Sequence, residues 1–513
     1  MNLLHHLVKR VAESPHTIAI CERNAGRDRS ISYQQLYAQI CGVSRSLSES
    51  GLRKGNQVQL LLPVGIDLYV VLLGCLHAGL VPILLDPSAG VSRMRQCLKI
   101  TEIMAFVGVP KAHLLRFIIP QLRNVRAFCP SPFFPFAKRL KFDGPLFDPS
   151  DVKVDAPALL TFTSGSTGQP KAAVRTHEFL LSQDAALRKA ILLEKGEVDL
   201  ITLPVFVLAN LSAGATSVIA DTPLALPGAP DHQSIKRQCD DWKVTRCSAS
   251  PAFFEGLMHG DMPQLQKIFT GGAPVFPDLL NRIKTRLPLA QVTALYGSTE
   301  AEPIADLRWN DEFPQSLIGE ELGLCAGIPV PEVKVKIIAD QWGTSLGPWT
   351  ENQFFAQQTP QGQAGEIVVT GKHVLSGYLG GRGDDETKIR IENQVWHRTG
   401  DAGFFDAVGR LWLLGRCSAK LPASDDFPIV YPLMIEAILR TIHSQHRAVA
   451  VEHGGKRTWV YEIGWPHSAV ANASSALNQY GFTKAVSVSK IPLDQRHQAK
   501  VDYVSLHRML QSH

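Results

Sequence analysis

Residues Leu159 to Arg175 read LLTFTSGSTGQPKAAVR, and the reading of the whole chain turns on this stretch. A largely apolar run, Ala158 to Phe162, leads in and another, Ala172 to Val174, leads out, as two strands flanking a tight loop would. Along it Thr161, Thr163, Ser164, Ser166 and Thr167 offer hydroxyl donors, Gly165 and Gly168 let backbone N–H groups approach an anion, and Lys171 brings positive charge. These are the parts of a phosphate grip, and they suit a triphosphate. A Walker A loop is excluded, because Gln169 and Pro170 separate Gly168 from Lys171. A flexible Ser/Gly linker is the alternative meaning of such composition, and the flanking strands count against it.

Outward from the loop, strand and helix alternate. Tyr33 to Glu49 has helical spacing, followed by a Gly51 to Gly55 turn, strand Gln57 to Leu62, a helix through Leu68 to Ala78 and strand Val81 to Leu85. The texture recurs through Asp199 to Leu203, Asn210 to Val218, Thr245 to Ser248, Gln266 to Thr270 and Val292 to Leu295. It predicts an α/β fold with largely parallel, helix-covered sheets in two stacked subdomains. From Gly365 to Leu414, short strands and turns predict a smaller β subdomain.

At 513 residues the chain is long enough for several cores, and 45% hydrophobic with 19% charged residues is a globular composition. A net charge of +5 is small for this length, and basic pieces such as Lys138 to Lys141 are short and read as a solvated face, so no nucleic-acid partner is expected. Nine scattered cysteines without a C-x-x-C pair fit reduced thiols in a cytoplasmic protein. The N-terminus MNLLHHLVKRVAESP does not read as a signal peptide. The most apolar region, Val58 to Leu85, is broken by Pro63, Gly65, Asp67, His77 and Pro82, so no transmembrane segment is expected.

The loop TFTSGSTGQPKAAV resembles the phosphate loop of the AMP-forming acyl-activating superfamily of acyl-CoA synthetases, adenylation domains and luciferases. Further matches follow in that family's order: GGAP at Gly271, Gly272, Ala273 and Pro274, YGSTE at Tyr296, Gly297, Ser298, Thr299 and Glu300, GEIVVTG at Gly365 to Gly371, TGD at Thr399 to Asp401, and Gly415–Arg416. The resemblance implies an N-terminal AMP-binding domain over residues 1–415 and a small mobile α+β lid over 416–513. It implies an enzyme that uses ATP and Mg²⁺ to adenylate a carboxylic acid, fatty or β-hydroxy, with release of pyrophosphate. In that scheme Thr163 to Gly168 and Lys171 grip phosphates, Glu300 holds the metal, Thr299 meets the α-phosphate, and Tyr296 packs on the adenine beside Gly271 to Pro274. Asp401 binds the ribose hydroxyls, Arg416 adds a donor, and Lys500 is the lysine that the lid brings to the reacting carboxylate. A lone Glu, Asp or exposed Lys has an ordinary surface reading too; the motif contexts favour the site.

Three departures from the family pattern touch the second half of its cycle. Val207 follows Pro204, Val205 and Phe206 where acyl-CoA synthetases usually carry a histidine, Ser418 replaces the charged pivot after Arg416, and Ala423 to Pro432 replaces a glycine-containing loop, with Pro432 and Glu436 still marking the next helix. The segments Leu203 to Gly214 and Ile491 to Lys500, with Arg496 and His497, are similar to β-lactone synthetases of the olefin pathway. A β-lactone synthetase is the leading expectation. An acyl-CoA or acyl-carrier-protein ligase is the runner-up, and a degenerate nucleotide-binding scaffold is the non-enzyme alternative. Phe206 to Ser212, Cys247 to Phe254 and Leu295 are the expected acyl pocket.

Overall fold

The computed structural model describes residues 3–24, 26–131, 134–164, 169–223, 226–310, 323–493 and 500–511. The α/β expectation holds: among the described residues there are sheets of seven, fourteen and three strands, with helices between and around them.

The seven-stranded sheet is parallel through Arg126–Cys129, Ile103–Gly108, Gln57–Leu61, Val81–Leu84 and Pro157–Ser164, and it ends in the antiparallel strand Pro170–Thr176. The phosphate-loop hairpin is therefore one edge of this sheet. In the fourteen-stranded sheet, Ile18–Asn24, Thr216–Ile219, Val198–Ile201, Arg246–Ala249, Lys267–Gly271 and Gln291–Ser298 run parallel. Ala301–Trp309 then turns back antiparallel and carries the pairing into Leu324–Pro329 and the β-rich region.

Local chemistry sets the helices. Ser32 and Gln35 cap Tyr33–Glu49 reciprocally, with bonds of 3.2 and 3.0 Å. Ile66–His77 begins where its first N–H donates to the Glu22 carboxylate at 2.9 Å, a negative charge at the positive helix end. Every residue of that helix but Asp67 is buried, because it lies between the sheets and is packed on all sides. One core holds Val58 and Leu60 of the smaller sheet, Ile20, Ile201 and Phe269 of the larger, and Leu36, Val71 and Phe206 of the helices between, so the two sheets share a hydrophobic layer.

Two expectations need correction. The β-rich region starts at Leu324 rather than Gly365, since Leu324–Pro329 and Val333–Ile338 pair into it. The alternation VKVKII carried that signal, and the long turn-rich stretch after it hid the continuity. Asn210 to Val218 is the end of helix Val205–Ala213 followed by strand Thr216–Ile219, with Gly214 left-handed between them.

Near the C-terminus, Ala448–His453, Lys456–Glu462 and Lys484–Val488 form the three-stranded sheet, against which helices Pro432–Ile442 and His467–Asn478 pack. Pro432 opens its helix as expected. Arg440 of that helix reaches Asp278 at 3.0 Å and Glu255 at 2.7 Å, while Lys420 and Tyr431 both meet Asp340 at 2.9 Å. All nine cysteines are free and buried. No helix among the described residues is long and apolar enough to cross a membrane.

Candidate active site

The loop hairpin sets one half of the site. Its antiparallel register puts Thr163 opposite Lys171. Lys171 is 4% exposed, and its ammonium makes a 2.6 Å ion pair with Glu386. Glu386 lies on the single helical turn Asp384–Thr387, entered through Gly383 at φ 98°. A Cβ on Gly383 would fall 2.5 Å from carbons of the Lys171 side chain, so the lysine stem needs glycine there as much as the backbone does.

Glu300 lies in the turn between strands Gln291–Ser298 and Ala301–Trp309, and its Oε1 accepts a 2.8 Å hydrogen bond from the Tyr378 hydroxyl. The Tyr378 ring in turn faces two ammonium groups, Lys171 at 5.9 Å and Lys388 at 5.3 Å from its centroid. Lys388 is buried, donates to the Leu375 carbonyl and lies 3.2 Å from Nδ1 of His397, its cross-strand partner. Burial pushes Lys388 down to about 7 against the pull of Glu300 and Asp384. Burial, helped by Lys388, pushes His397 down to about 3, so its ring is neutral at pH 7. Burial raises the Glu300 carboxyl, but His397, the Tyr378 hydroxyl, Lys388 and Thr163 outweigh it and hold the group below the ordinary carboxylate range. With His397 neutral, the pull on Glu300 at pH 7 comes from Lys388, which titrates near 7 and so carries only part of a positive charge there.

The other half is built on the β-rich side. Asp401 and Arg416 are cross-strand partners. The Asp401 carboxylate accepts from the Tyr296 hydroxyl at 2.9 Å and pairs with the Arg416 guanidinium at 3.2 Å. Arg416 also donates to the Thr399 carbonyl at 3.0 Å. Asp401 raises Arg416, and burial together with Asp401 raises the Tyr296 hydroxyl well above its usual value. Gly271 pairs with Leu295, and a Cβ there would meet the Leu295 carbonyl oxygen at 2.7 Å, so Gly271 abuts strand Gln291–Ser298 closely. Arg175 joins the halves, donating to the Thr299 carbonyl at 2.9 Å, and the Glu300 carbonyl accepts from Leu375 N–H at 2.7 Å. The Ser298 hydroxyl accepts from Glu300 N–H at 3.3 Å, beside Gly297.

The structure thus gathers Thr163, Lys171 and Glu300 around Tyr378, and Tyr296, Asp401 and Arg416 around one carboxylate. The Ser164 side chain, Gly165, Ser166, Thr167 and Gly168 lie outside the described residues, as do Arg496 and His497. Lys500 is exposed beside the Leu493–Val501 bridge. The stretch Phe206 to Ser212, expected to line the acyl pocket, is mostly buried. Phe206, Val207, Ala209 and Leu211 are buried because their helix is packed nearly all round, and Val205 and Leu208 are the half-buried members.

Sequence reasoning missed Tyr378, Glu386, Lys388 and His397. Tyr378 follows the GEIVVTG match by seven residues and could have been suspected from that proximity. Lys388 and Glu386 stand in DDETKIR, which reads as a solvated charge run until the chain is folded.

Chemically, this is a place for anions beside a carboxylate. Among the described residues no three His, Cys, Asp or Glu side chains are grouped to hold a metal. A cation beside Glu300 would rest on that one carboxylate and take its remaining ligands from phosphate oxygens and water, which suits the hard, well-hydrated Mg²⁺.

A family model described as AMP-binding enzyme matches residues 7–379. The chain is 29% identical to the olefin beta-lactone synthetase of Stenotrophomonas maltophilia, over 98% of this chain and 96% of that one. It is 25% identical to the putative acyl–CoA ligase YdaB of Bacillus subtilis, over 98% of each. Its fold matches O-succinylbenzoate coenzyme A synthetase of Bacillus subtilis, solved with ATP and a magnesium ion, at a TM-score of 0.78 and 19% identity over 99% of both chains. ATP-bound MatB of Rhodopseudomonas palustris matches at a TM-score of 0.81 and 20% identity, again over 99% of both chains.

Proposed function

The chain belongs to the AMP-binding enzyme family and is an AMP-forming acyl-activating ligase, and from that premise we propose that it adenylates a β-hydroxy acid and closes the adenylate to a β-lactone. The observation that carries this reading is the similarity to olefin beta-lactone synthetases over 98% of the chain, which takes in the C-terminal segments where the thioester-forming pattern is altered.

In this reading the groups divide the work. Lys171, Thr163 and the loop residues Ser164 to Gly168 hold the phosphates, and Thr299 orients the α-phosphate. Tyr296, with Gly271 to Pro274, holds the adenine, while Asp401 and Arg416 hold the ribose. Glu300 would bind Mg²⁺, which when present neutralises phosphate charge. Residues 416–513 act as a lid that carries Lys500 to the carboxylate. After adenylation the substrate's own hydroxyl displaces AMP. Because that attack is intramolecular, proximity supplies about 7–11 kcal/mol of the barrier when the geometry is right, and no thiol enters. Val207 fits this: the position carries a fully buried apolar side chain and no base.

The test is product analysis. A β-hydroxy acid incubated with enzyme, ATP and Mg²⁺ but no thiol should give AMP and a product lighter than the acid by one water, and Lys500→Ala should give neither while still binding ATP. AMP release that requires CoA or a carrier thiol, with a thioester as product, would make the chain an acyl-CoA or acyl-carrier ligase, the reading that the similarity to YdaB favours. Absence of ATP–pyrophosphate exchange with every acid tried would leave only a nucleotide-binding scaffold.

Glu386 supplies a second prediction. Its carboxylate occupies the cation assigned to phosphate, so nucleotide has to displace it. Glu386 is 39% exposed, and such a pair is worth at most about 1 kcal/mol, so Glu386→Gln should tighten ATP binding by up to about fivefold. Titration with a fluorescent ATP analogue reads this directly, and unchanged or weaker binding would show that Glu386 supports the site rather than competing for it.

A further inference from the structure

Residues 88–141 carry ten Lys and Arg and one acid, Glu102, a net of nine positive charges in a chain whose total is +5. Read linearly these are short basic pieces; folding brings Arg95, Arg116 and Arg123 together. The segment forms the edge of the seven-stranded sheet opposite the loop hairpin, with Arg126–Cys129 and Lys138–Arg139 as the outermost strands. Its helices close over a small core that includes Met94, Leu98, Phe106 and Leu122.

Apolar side chains stand outside that core. Leu114 is 61% exposed, Phe117 67%, Ile118 46% and Phe136 68%. Leu114, Phe117 and Ile118 follow the i, i+3, i+4 spacing of one helical face, while Ala112 and His113 beside them turn inward. Three arginines are set among these residues. Arg116 donates to the Phe136 carbonyl at 2.9 Å, Arg123 to the Phe117 carbonyl at 2.9 Å and Arg95 to the Ile118 carbonyl at 2.7 Å. Backbone carbonyls orient these guanidinium groups without cancelling their charge.

We propose that this face docks on an anionic lipid surface, with Leu114, Phe117, Ile118 and Phe136 entering the headgroup region and the surrounding basic residues meeting lipid phosphates. Exposed bulky apolar groups ringed by Lys and Arg are what an interfacial segment needs, because apolar burial and electrostatic attraction then add. A nucleic acid would use the charge but has no place for Leu114 and Ile118. The proposal does not depend on which acid is activated or on how the adenylate is consumed.

The test is sedimentation of the full-length chain with vesicles of phosphatidylcholine alone and of phosphatidylcholine containing about a third phosphatidylglycerol. The protein should bind the mixed vesicles, ignore the neutral ones and be released by high salt. Each basic residue near the surface contributes about fivefold to partitioning, so the double variant Lys111→Glu, Arg123→Glu should lose at least about twentyfold. Phe117→Ser combined with Phe136→Ser should lose about tenfold with Tm and vesicle-free pyrophosphate exchange unchanged, since both rings are already exposed. No vesicle binding, equal binding to neutral vesicles, or variants that sediment like the parent would overturn it. Patch-dependent self-association without vesicle binding would overturn it too and give the face to a second copy of the chain.

Discussion

Glu300→Ala should slow adenylate formation by about 10²–10³-fold, on the scale of removing one preorganised charge-stabilising group from an active site. Glu300 is the carboxylate that the folded site keeps ionised: Lys388, Thr163 and the Tyr378 hydroxyl hold it below the ordinary range in spite of burial. Alanine removes the one acidic ligand we assign to Mg²⁺ and leaves buried Lys388 with Asp384 as the carboxylate still acting on it. Raising Mg²⁺ should recover part of the rate, because the phosphates still offer ligands. Tyr378→Phe should act in the same direction more weakly, since one hydrogen bond to a charged group is worth about 1.5–3 kcal/mol. ATP–pyrophosphate exchange measures all three effects. Parental exchange in Glu300→Ala would remove Glu300 from the metal site.

Arg398→Met should cost about 3–5 kcal/mol of stability, the range for stranding one member of a buried ion pair. Arg398 and Glu366 are 1% and 0% exposed in their side chains and are joined by contacts of 2.6, 3.0 and 3.1 Å. Arg398 also donates to the Thr344 carbonyl at 2.6 Å and the Glu386 carbonyl at 3.3 Å, and stacks on Trp342, so one guanidinium ties the turn bearing Glu386 to the strand bearing Asp401. Burial already raises the Glu366 carboxyl in spite of Arg398. Without the arginine it rises further, so the native variant binds a proton that the unfolded chain has released above its ordinary value of 4.5. Stability of the variant should therefore fall as pH rises from that point, and its deficit in Tm should be larger at pH 8 than at pH 5. A deficit that does not change with pH would mean that Glu366 finds another partner when Arg398 is gone.

The sequence by itself determined the α/β class, the loop hairpin and the order of the site motifs, because each is written in local terms. Alternating apolar strands, the Ser32–Gln35 cap and a hydroxyl-rich loop act over a few residues, and helix Tyr33–Glu49 falls where its spacing put it. Tertiary structure alone decided what surrounds those motifs. Lys171 meets Glu386 across 215 residues, Glu300 meets Tyr378 across 78, and Tyr296 meets Asp401 across 105, and no linear pattern signals a contact at such range. Burial is the other half of the reason. Lys388 and His397 are ordinary polar residues in the sequence. They become a low-titrating lysine and a neutral histidine only because the fold withdraws water from both, and the same folding sets Arg116 and Arg123 against the carbonyls of Phe136 and Phe117.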